Sequence, residues 1–123
     1  MNYIIKIIKI FIHFLNKKKV NNLGNNSLLY CRIEKRNSFG EIKVGNDCLI
    51  NGRLVTETDK SLIKMDNNIF IGGNTIIDCK DEIHIEENVL VSYECIIFDH
   101  DSHSTEMSKR KNDLNRFKDD KMN

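Results

Sequence analysis

The chain has 123 residues, which is enough for one domain or part of one. Its 19 lysines and arginines stand against 18 acids, so the net charge of +1 provides no field for nucleic acid, and a nucleic-acid partner is not expected. The four cysteines include no CxxC pair. We interpret them as reduced packing residues of a cytoplasmic protein, with a disulfide as the weaker alternative.

Residues 1–19 form a separate amphipathic unit. As a helix, residues 3–15 place Lys6, Lys9 and His13 on one stripe, while isoleucine and phenylalanine cover the remainder. The segment is too short and too interrupted to span a bilayer, and a lysine run lies where a signal peptide would have its cleavage site. Two interpretations stay open: a helix that caps the open end of the next domain, and an in-plane helix that touches anionic lipid weakly at the inner face of the membrane.

From residue 20 a period of six takes over, and blocks of similar sequence start at residues 23, 44, 65 and 85. The period selects a set of mostly aliphatic positions, which we expect to point inward: Leu23, Leu29, Val44, Ile50, Thr56, Met65, Ile71, Ile77, Ile85, Val91 and Ile97. A period of six suits neither a helix nor an isolated strand, but it suits three short strands joined by tight corners. Residues 20–103 are therefore predicted to form an all-β solenoid of about three to four triangular coils.

An alternating triplet precedes three of the blocks. It reads Ile42-Lys43-Val44, Ile63-Lys64-Met65 and Ile83-His84-Ile85. In a strand the outer residues of each triplet point inward and the middle residue points to solvent. His84 is accordingly predicted to be an exposed strand histidine and not a ligand.

The chain resembles the hexapeptide-repeat acyltransferases over about residues 20–123. The resemblance is carried by V-G-N-D-C-L-I, I-G-G-N-T-I-I and I-E-E-N-V-L-V-S-Y-E-C-I-I, and above all by F-D-H-D-S-H-S at residues 98–104. It implies a left-handed parallel β-helix, a handedness that general crossover rules do not give. It also implies a trimeric O-acetyltransferase of capsule, lipopolysaccharide or other surface polysaccharide, with acetyl-CoA as co-substrate, a glycan acceptor and no metal.

The chemistry of that reaction points to a histidine. Moving an acetyl group from a thioester to a sugar hydroxyl requires removal of a proton, and imidazole is the side chain whose ordinary pKa lies nearest neutrality. His100 follows the inward Ile97 by three residues, where the period breaks, and the resemblance implies that it is the catalytic base. Asp99 or Asp101 is the candidate to orient its ring. His103 is the competing histidine.

Two further residues are candidates for substrate binding. The resemblance suggests Asn74 as a residue that holds the acceptor sugar, although its partner position in the family is filled here by Gly72. Tyr93, with Phe98, is an aromatic candidate for stacking on a sugar ring, but both residue types are more often packing residues.

Other functions compete with acetyl transfer. The side chains of Asp99, His100, Asp101 and His103 are oxygen and nitrogen ligands close together in sequence. The γ-class carbonic anhydrases share this β-helix and bind metal, but their more widely spaced, glycine-flanked histidine motif is absent, so a metal site ranks lower. A non-catalytic β-solenoid fragment, or a structural or membrane-associated module, is the remaining alternative.

Residues 104–123 are rich in charge and are expected to form a flexible external loop or tail. In the resembling enzymes such a loop leads into further coils, which bind acetyl-CoA in a groove between subunits of a trimer. No such hexads follow here, so we expect a C-terminally truncated acetyltransferase that largely lacks the donor site. A chain completed by a separate polypeptide, or capped by its own loop, is the alternative.

Overall fold

We describe residues 2–101, 103 and 106–122 of a computed structural model, excluding the side chains of residues 117 and 119–122. This part of the chain contains helix α1 (Tyr3–Asn16), twelve short strands and helix α2 (Met107–Met122). The strands are β1 (Asn22–Leu23), β2 (Leu28–Leu29), β3 (Arg32–Lys35), β4 (Glu41–Val44), β5 (Leu49–Ile50), β6 (Arg53–Thr56), β7 (Leu62–Met65), β8 (Phe70–Ile71), β9 (Ile76–Cys79), β10 (Glu82–Ile85), β11 (Leu90–Val91) and β12 (Ile96–Phe98).

The strands form a parallel solenoid of four coils. They pair into three parallel sheets with the orders β1-β4-β7-β10, β2-β5-β8-β11 and β3-β6-β9-β12. Each coil contributes one strand to each sheet, so every third strand stacks on its equivalent in the next coil. The predicted all-β solenoid with a short N-terminal helix is confirmed.

The core is a narrow column of aliphatic side chains inside the three sheets. All eleven positions selected by the period of six line it, and eight of them are buried. The other three, Leu23, Val91 and Ile97, are half-buried because they belong to the first and last coils, which have a neighbour on one side only. Full burial of one such side chain contributes about 1.5–3 kcal/mol, so the two inner coils hold most of the stability.

Left-handed backbone recurs at the corners and accounts for four of the asparagines. Six residues other than glycine have a positive φ between 57° and 61°, and they recur at the coil period: Asn26, Asp47, Asn68, Asn74, Asn88 and Glu94. Asparagine and aspartate tolerate this conformation better than other side chains do. Two of these side chains also bond to the equivalent residue one coil on, Asn26 to Asp47 and Asn68 to Asn88.

The first coil has an open edge along the solenoid axis. Leu28 and Tyr30 donate their amide N–H groups to carbonyls of the second coil. The N–H of Leu29 lies between them and points the opposite way, toward the open end. Unpaired backbone groups at such an edge cost free energy and invite pairing with another chain.

Helix α1 covers that edge with polar side chains. The N–H of Leu29 donates to Nδ1 of His13 at 3.0 Å. Nδ2 of Asn16, which is buried, donates to the carbonyls of Leu29 and Cys31 at 2.9 and 2.7 Å. The helix therefore caps the axial end of the solenoid, as the first of the two interpretations of residues 1–19 predicts.

This cap should depend on pH through His13. Burial, with the nearby charge of Lys17 second, lowers the pKa of His13 below its ordinary value of 6.5. The unfolded chain therefore binds the proton more readily, so stability rises with pH through this window and is lost as pH falls below about 6.5. We expect the protection factor of the Leu29 amide, which compares its exchange rate with the intrinsic rate at the same pH, to be several-fold lower at mildly acidic pH than above neutrality. Urea unfolding should also begin earlier at the lower pH.

The matched control is His13→Gln. Its amide oxygen can accept the same hydrogen bond but does not titrate, so the pH dependence of the protection factor at Leu29 should disappear. An unchanged pH dependence in this variant would assign the effect to another group.

Helix α2 corrects one expectation from the sequence, since Met107–Met122 is helical where an external loop was predicted from residue 104. The segment contains no glycine or proline, and it has four lysines, two arginines, two methionines and one leucine, which favour helices. High charge, taken as typical of a loop, is equally typical of a solvent-exposed helix. Among the described residues, no helix has the length and apolar character needed to cross a membrane.

The four cysteines are free thiols, and all but Cys95 are buried. Burial raises the pKa of Cys31 to about 12. Burial, reinforced by the charge of Asp99, does the same for Cys79, whose pKa is also about 12. These thiols therefore stay protonated and act as small packing residues and not as nucleophiles.

Candidate functional site

His100 lies just after β12, at the corner where the fourth coil ends. Most of its side chain is buried, with 12% exposed. Its Nε2 lies 3.2 Å from Oδ1 of Asp78. The register of β12 on β9 pairs Phe98 with Asp78, so the carboxylate projects from the outer face of the sheet beside the histidine. Phe98 also meets the His100 ring edge-on, with 6.1 Å between ring centroids.

The histidine ends a line of charged groups that crosses all four coils. Nη1 of Arg36, in the first coil, lies 2.9 Å from Oε1 of Glu57 in the second. Glu57 shares a hydrogen bond with Asp78, which in turn contacts His100. Burial, then the hydrogen bond and charge of Asp78, raise the pKa of Glu57 against the opposing charges of Arg36 and His100. Two neighbouring carboxylates favour holding one proton between them, and the guanidinium of Arg36 limits that tendency.

A surface cleft of about 270 Å³ opens over this line. Its lining combines cationic, titratable and apolar groups: Arg36, Arg53, Ile76, Asp78, Ile96, Phe98 and His100. Nη2 of Arg53 pairs with Glu34 at 2.7 Å, while its Nε is buried without a hydrogen-bond partner in the described part of the chain. The cleft therefore offers a histidine, a carboxylate and two guanidinium groups beside apolar walls.

Asp99 does not orient the histidine. Its two carboxylate oxygens accept hydrogen bonds from the backbone amides of Lys80, Asp81 and Glu82 at 2.7–2.9 Å. Burial alone would raise the pKa of Asp99, but these three amides outweigh it and lower that pKa. Asp99 therefore fixes the corner between the third and fourth coils, and Asp78 is the carboxylate in contact with the His100 ring. Asp101, the other candidate, is exposed.

The histidines at 84 and 103 lie apart from this cluster. His103 is exposed, and its Nδ1 lies 3.8 Å from Oδ2 of Asp113 on α2, at a separate cavity of about 430 Å³. His84 is exposed on β10, with Nε2 2.9 Å from Oδ1 of Asp66, which agrees with its prediction as a surface strand residue. His103 was a competing candidate because it is close to His100 in sequence, but in the structure the two histidines contact different residues.

The two candidate substrate residues lie at the other end of the same sheet. Asn74 precedes β9 and Tyr93 precedes β12, whereas His100 follows β12. Asn74 is an exposed corner residue with a φ of 59°, so the backbone accounts for asparagine there. Tyr93 is 67% exposed and meets Phe70 edge-on. Neither is among the described residues that line the cleft.

Sequence reasoning missed Arg36, Glu57 and Asp78. A signal was present, since these charged residues recur at intervals of 21 residues, close to the coil period. Charged residues on the outer face of a solenoid are common, however, and only the contacts between coils identify these three as partners of the histidine.

Three of these side chains can also hold a metal ion. The ligand atoms of Glu57, Asp78 and His100 all lie within 4.8 Å of one another, and oxygen and nitrogen ligands suit a divalent cation such as Zn²⁺. The guanidinium of Arg36 already supplies positive charge to Glu57, which weakens the site for a cation. The four ligands considered from the sequence are not brought together, because Asp99 binds backbone amides and His103 contacts α2.

Comparison of the chain with known protein families, with curated proteins and with solved structures gave no match. The hexapeptide-repeat resemblance thus stays a prediction, and the function is argued from the residues of the cleft.

Proposed function

We propose that this chain is an O-acetyltransferase of the left-handed β-helix type, which moves an acetyl group from acetyl-CoA to a sugar hydroxyl during surface-polysaccharide synthesis. The supporting observation is the contact between His100 and Asp78 at the wall of a cleft that also contains two arginines. The reaction is placed in the cytoplasm, where acetyl-CoA and reduced thiols occur together.

In this proposal His100 is the general base. Its Nε2–H donates to Asp78, which leaves Nδ1 without a hydrogen-bond partner among the described residues and free to take a proton. As Nδ1 removes the hydroxyl proton, the sugar oxygen bonds to the acetyl carbon. The carbon–sulfur bond then breaks, and the leaving thiolate receives the proton from the imidazolium. Asp78 holds the ring in one tautomer and stabilises its charged form.

The arginines of the cleft serve the developing oxyanion. As the sugar attacks, negative charge appears on the thioester carbonyl oxygen, and a fixed donor aimed at that charge is typically worth about 10²–10³ in rate. Arg53 is the first candidate, because it lines the cleft and 34% of its side chain is exposed. Arg36 is already paired with Glu57, so its main role is to offset the negative charge of Glu57 and Asp78.

The binding site for the acetyl donor is also proposed. We propose that coenzyme A binds in a groove completed by a neighbouring subunit of a trimer or by another polypeptide. The acceptor and base side of the reaction would then come from this chain.

The test uses two donors, so that it does not depend on the coenzyme site. The chain is incubated with acetyl-CoA or with the short thioester S-acetyl-N-acetylcysteamine, and with a panel of sugars. We expect thiol release that requires a sugar, with the acetyl ester detected by mass spectrometry. Absence of sugar-dependent thiol release from both donors would overturn the proposal.

A metal-dependent activity is the second candidate, supported by the close approach of Glu57, Asp78 and His100. Treatment with EDTA separates the two. Acetyl transfer through the imidazole alone should be unaffected, whereas loss of activity that Zn²⁺ restores would favour the metal centre.

A further inference from the structure

Helix α1 is amphipathic in an unusual sense, because its polar stripe faces the solenoid and its apolar face points away. The stripe contacts the first coil through Asn16 and His13, and Nζ of Lys9 lies 5.4 Å from the centre of the Tyr30 ring. The remaining positions carry large exposed apolar side chains: Tyr3, Ile4, Ile5, Ile7, Ile8, Ile10, Phe11, Phe14 and Leu15. A continuous apolar face of this kind on a surface marks a binding site.

The hydrogen bonds of the cap fix this orientation. Rotating the apolar face inward would break the bonds that Asn16 makes to Leu29 and Cys31, and would leave the N–H of Leu29 without its acceptor. Because these groups lie at the axial end of the solenoid, the apolar face points outward along the axis. It is available to a partner without any rearrangement of the fold.

The charged residues of helix α1 and of the segment that follows it are all basic. Residues 1–31 contain five lysines and no acidic residue, whereas Arg32 is paired with Glu34 at 3.1 Å. Three of the lysines, at 17–19, follow directly after the helix. Such a surface is complementary to an anionic partner that is also apolar beneath its charged layer.

These observations select the partner. A second copy of the chain, joined through a twofold axis, would bring the same lysines toward one another, which opposes association. A bilayer with anionic headgroups meets both requirements, because apolar side chains enter the acyl boundary while lysines contact phosphates. At 14 residues the helix is about 21 Å long, shorter than the roughly 30 Å hydrocarbon core, so it would lie in the plane of the membrane.

We propose that α1 is a membrane anchor, which binds an anionic lipid bilayer through its outward apolar face while its polar face caps the solenoid. The anchor covers the first coil, whereas His100 lies at the end of the fourth, and the inference does not depend on acetyl transfer.

Vesicle sedimentation tests the proposal with the full chain. Phosphatidylcholine vesicles with phosphatidylserine should carry the protein down, pure phosphatidylcholine vesicles much less, and added salt should release it. Replacing the three lysines at 17–19 by glutamine should weaken binding by about fivefold per lysine.

Two apolar positions provide the decisive variant. Ile7 and Phe11 are 51% and 61% exposed, so Ile7→Asp with Phe11→Asp should leave the melting curve unchanged yet reduce vesicle binding at least tenfold. The matched control is Phe39→Asp, which removes a side chain 76% exposed in the loop between β3 and β4 and should bind like the parent.

Depth of insertion can be measured directly, since the chain contains no tryptophan. A Phe11→Trp variant should shift its fluorescence to the blue on anionic vesicles and be quenched by brominated lipid, whereas Phe39→Trp should show neither effect. Equal binding by the double aspartate variant would overturn the proposal. So would failure of the parent to bind anionic vesicles, including the case in which ultracentrifugation shows α1-dependent dimers instead.

Discussion

Replacement of His100 by alanine is expected to lower acetyl transfer by about 10²–10⁴-fold, the range typical of a lost general base. His103→Ala is expected to stay near the parent rate. The reason is geometric, because His100 contacts Asp78 at the cleft, while His103 contacts Asp113 of α2 at another cavity. Thiol release from S-acetyl-N-acetylcysteamine in the presence of sugar gives the measurement.

The role of Asp78 is tested in the same assay with Asp78→Asn. The amide keeps the size of the side chain but loses the charge that stabilises an imidazolium and selects its tautomer, so kcat should fall by roughly 10²–10⁴-fold with little change in KM. Asp99→Asn serves as the comparison, since Asp99 binds backbone amides and should affect stability more than rate. If His103→Ala were the inactive variant, the two histidines would exchange roles.

The second large effect concerns the backbone. Gly52 lies in the corner between β5 and β6 with a φ of +78°, and a Cβ there would come within 2.1 Å of the carbonyl oxygen of Thr75 in the next coil. Gly52→Ala therefore adds left-handed strain of about 1–2 kcal/mol to a clash with backbone that cannot move without separating two coils. We expect a total loss of about 3 kcal/mol or more in the free energy of unfolding, measured by urea denaturation.

Gly73→Ala is the matched control for this variant. Gly73 also lies in a corner, but its φ is not in the left-handed region and the nearest atom to an added Cβ is 3.7 Å away. Its effect should stay within about 0.5 kcal/mol. The effect of Gly→Ala on the unfolded chain is stabilising, so similar losses in both variants would show that the clash with Thr75 and the left-handed φ are not the cause of the loss at Gly52.

The period of six was sufficient to predict the solenoid because burial imposes it directly. Inward residues six apart, such as Ile71 and Ile77, fill the same column from successive strands, so their spacing follows directly from the fold. Helix α2 was missed since its described side chains are exposed apart from that of Asp113, and a segment without an apolar face leaves no periodic trace in the sequence.

The site was harder to predict because its residues are outside the core. Coil length is uneven: Lys35 pairs with Thr56, 21 residues on, but Thr56 pairs with Cys79, 23 residues on. A constant interval along the sequence therefore does not predict which outward side chains meet. Glu57 interacts with Asp78, although the strand register pairs Asp78 with Val55. His100 itself was predicted only through the family resemblance.

The regular stacking of the coils also sets a distance. Neighbouring strands of a sheet are about 4.8 Å apart, so the three steps from the first coil to the fourth raise His100 by about 14 Å above the coil that α1 covers. If α1 rests on a bilayer, the solenoid axis stands along the membrane normal, and the stacking of the coils fixes how far His100 lies from the headgroups. A lipid-linked acceptor would then be modified on sugars that reach this height, and the sugar nearest the lipid would lie too low to reach His100.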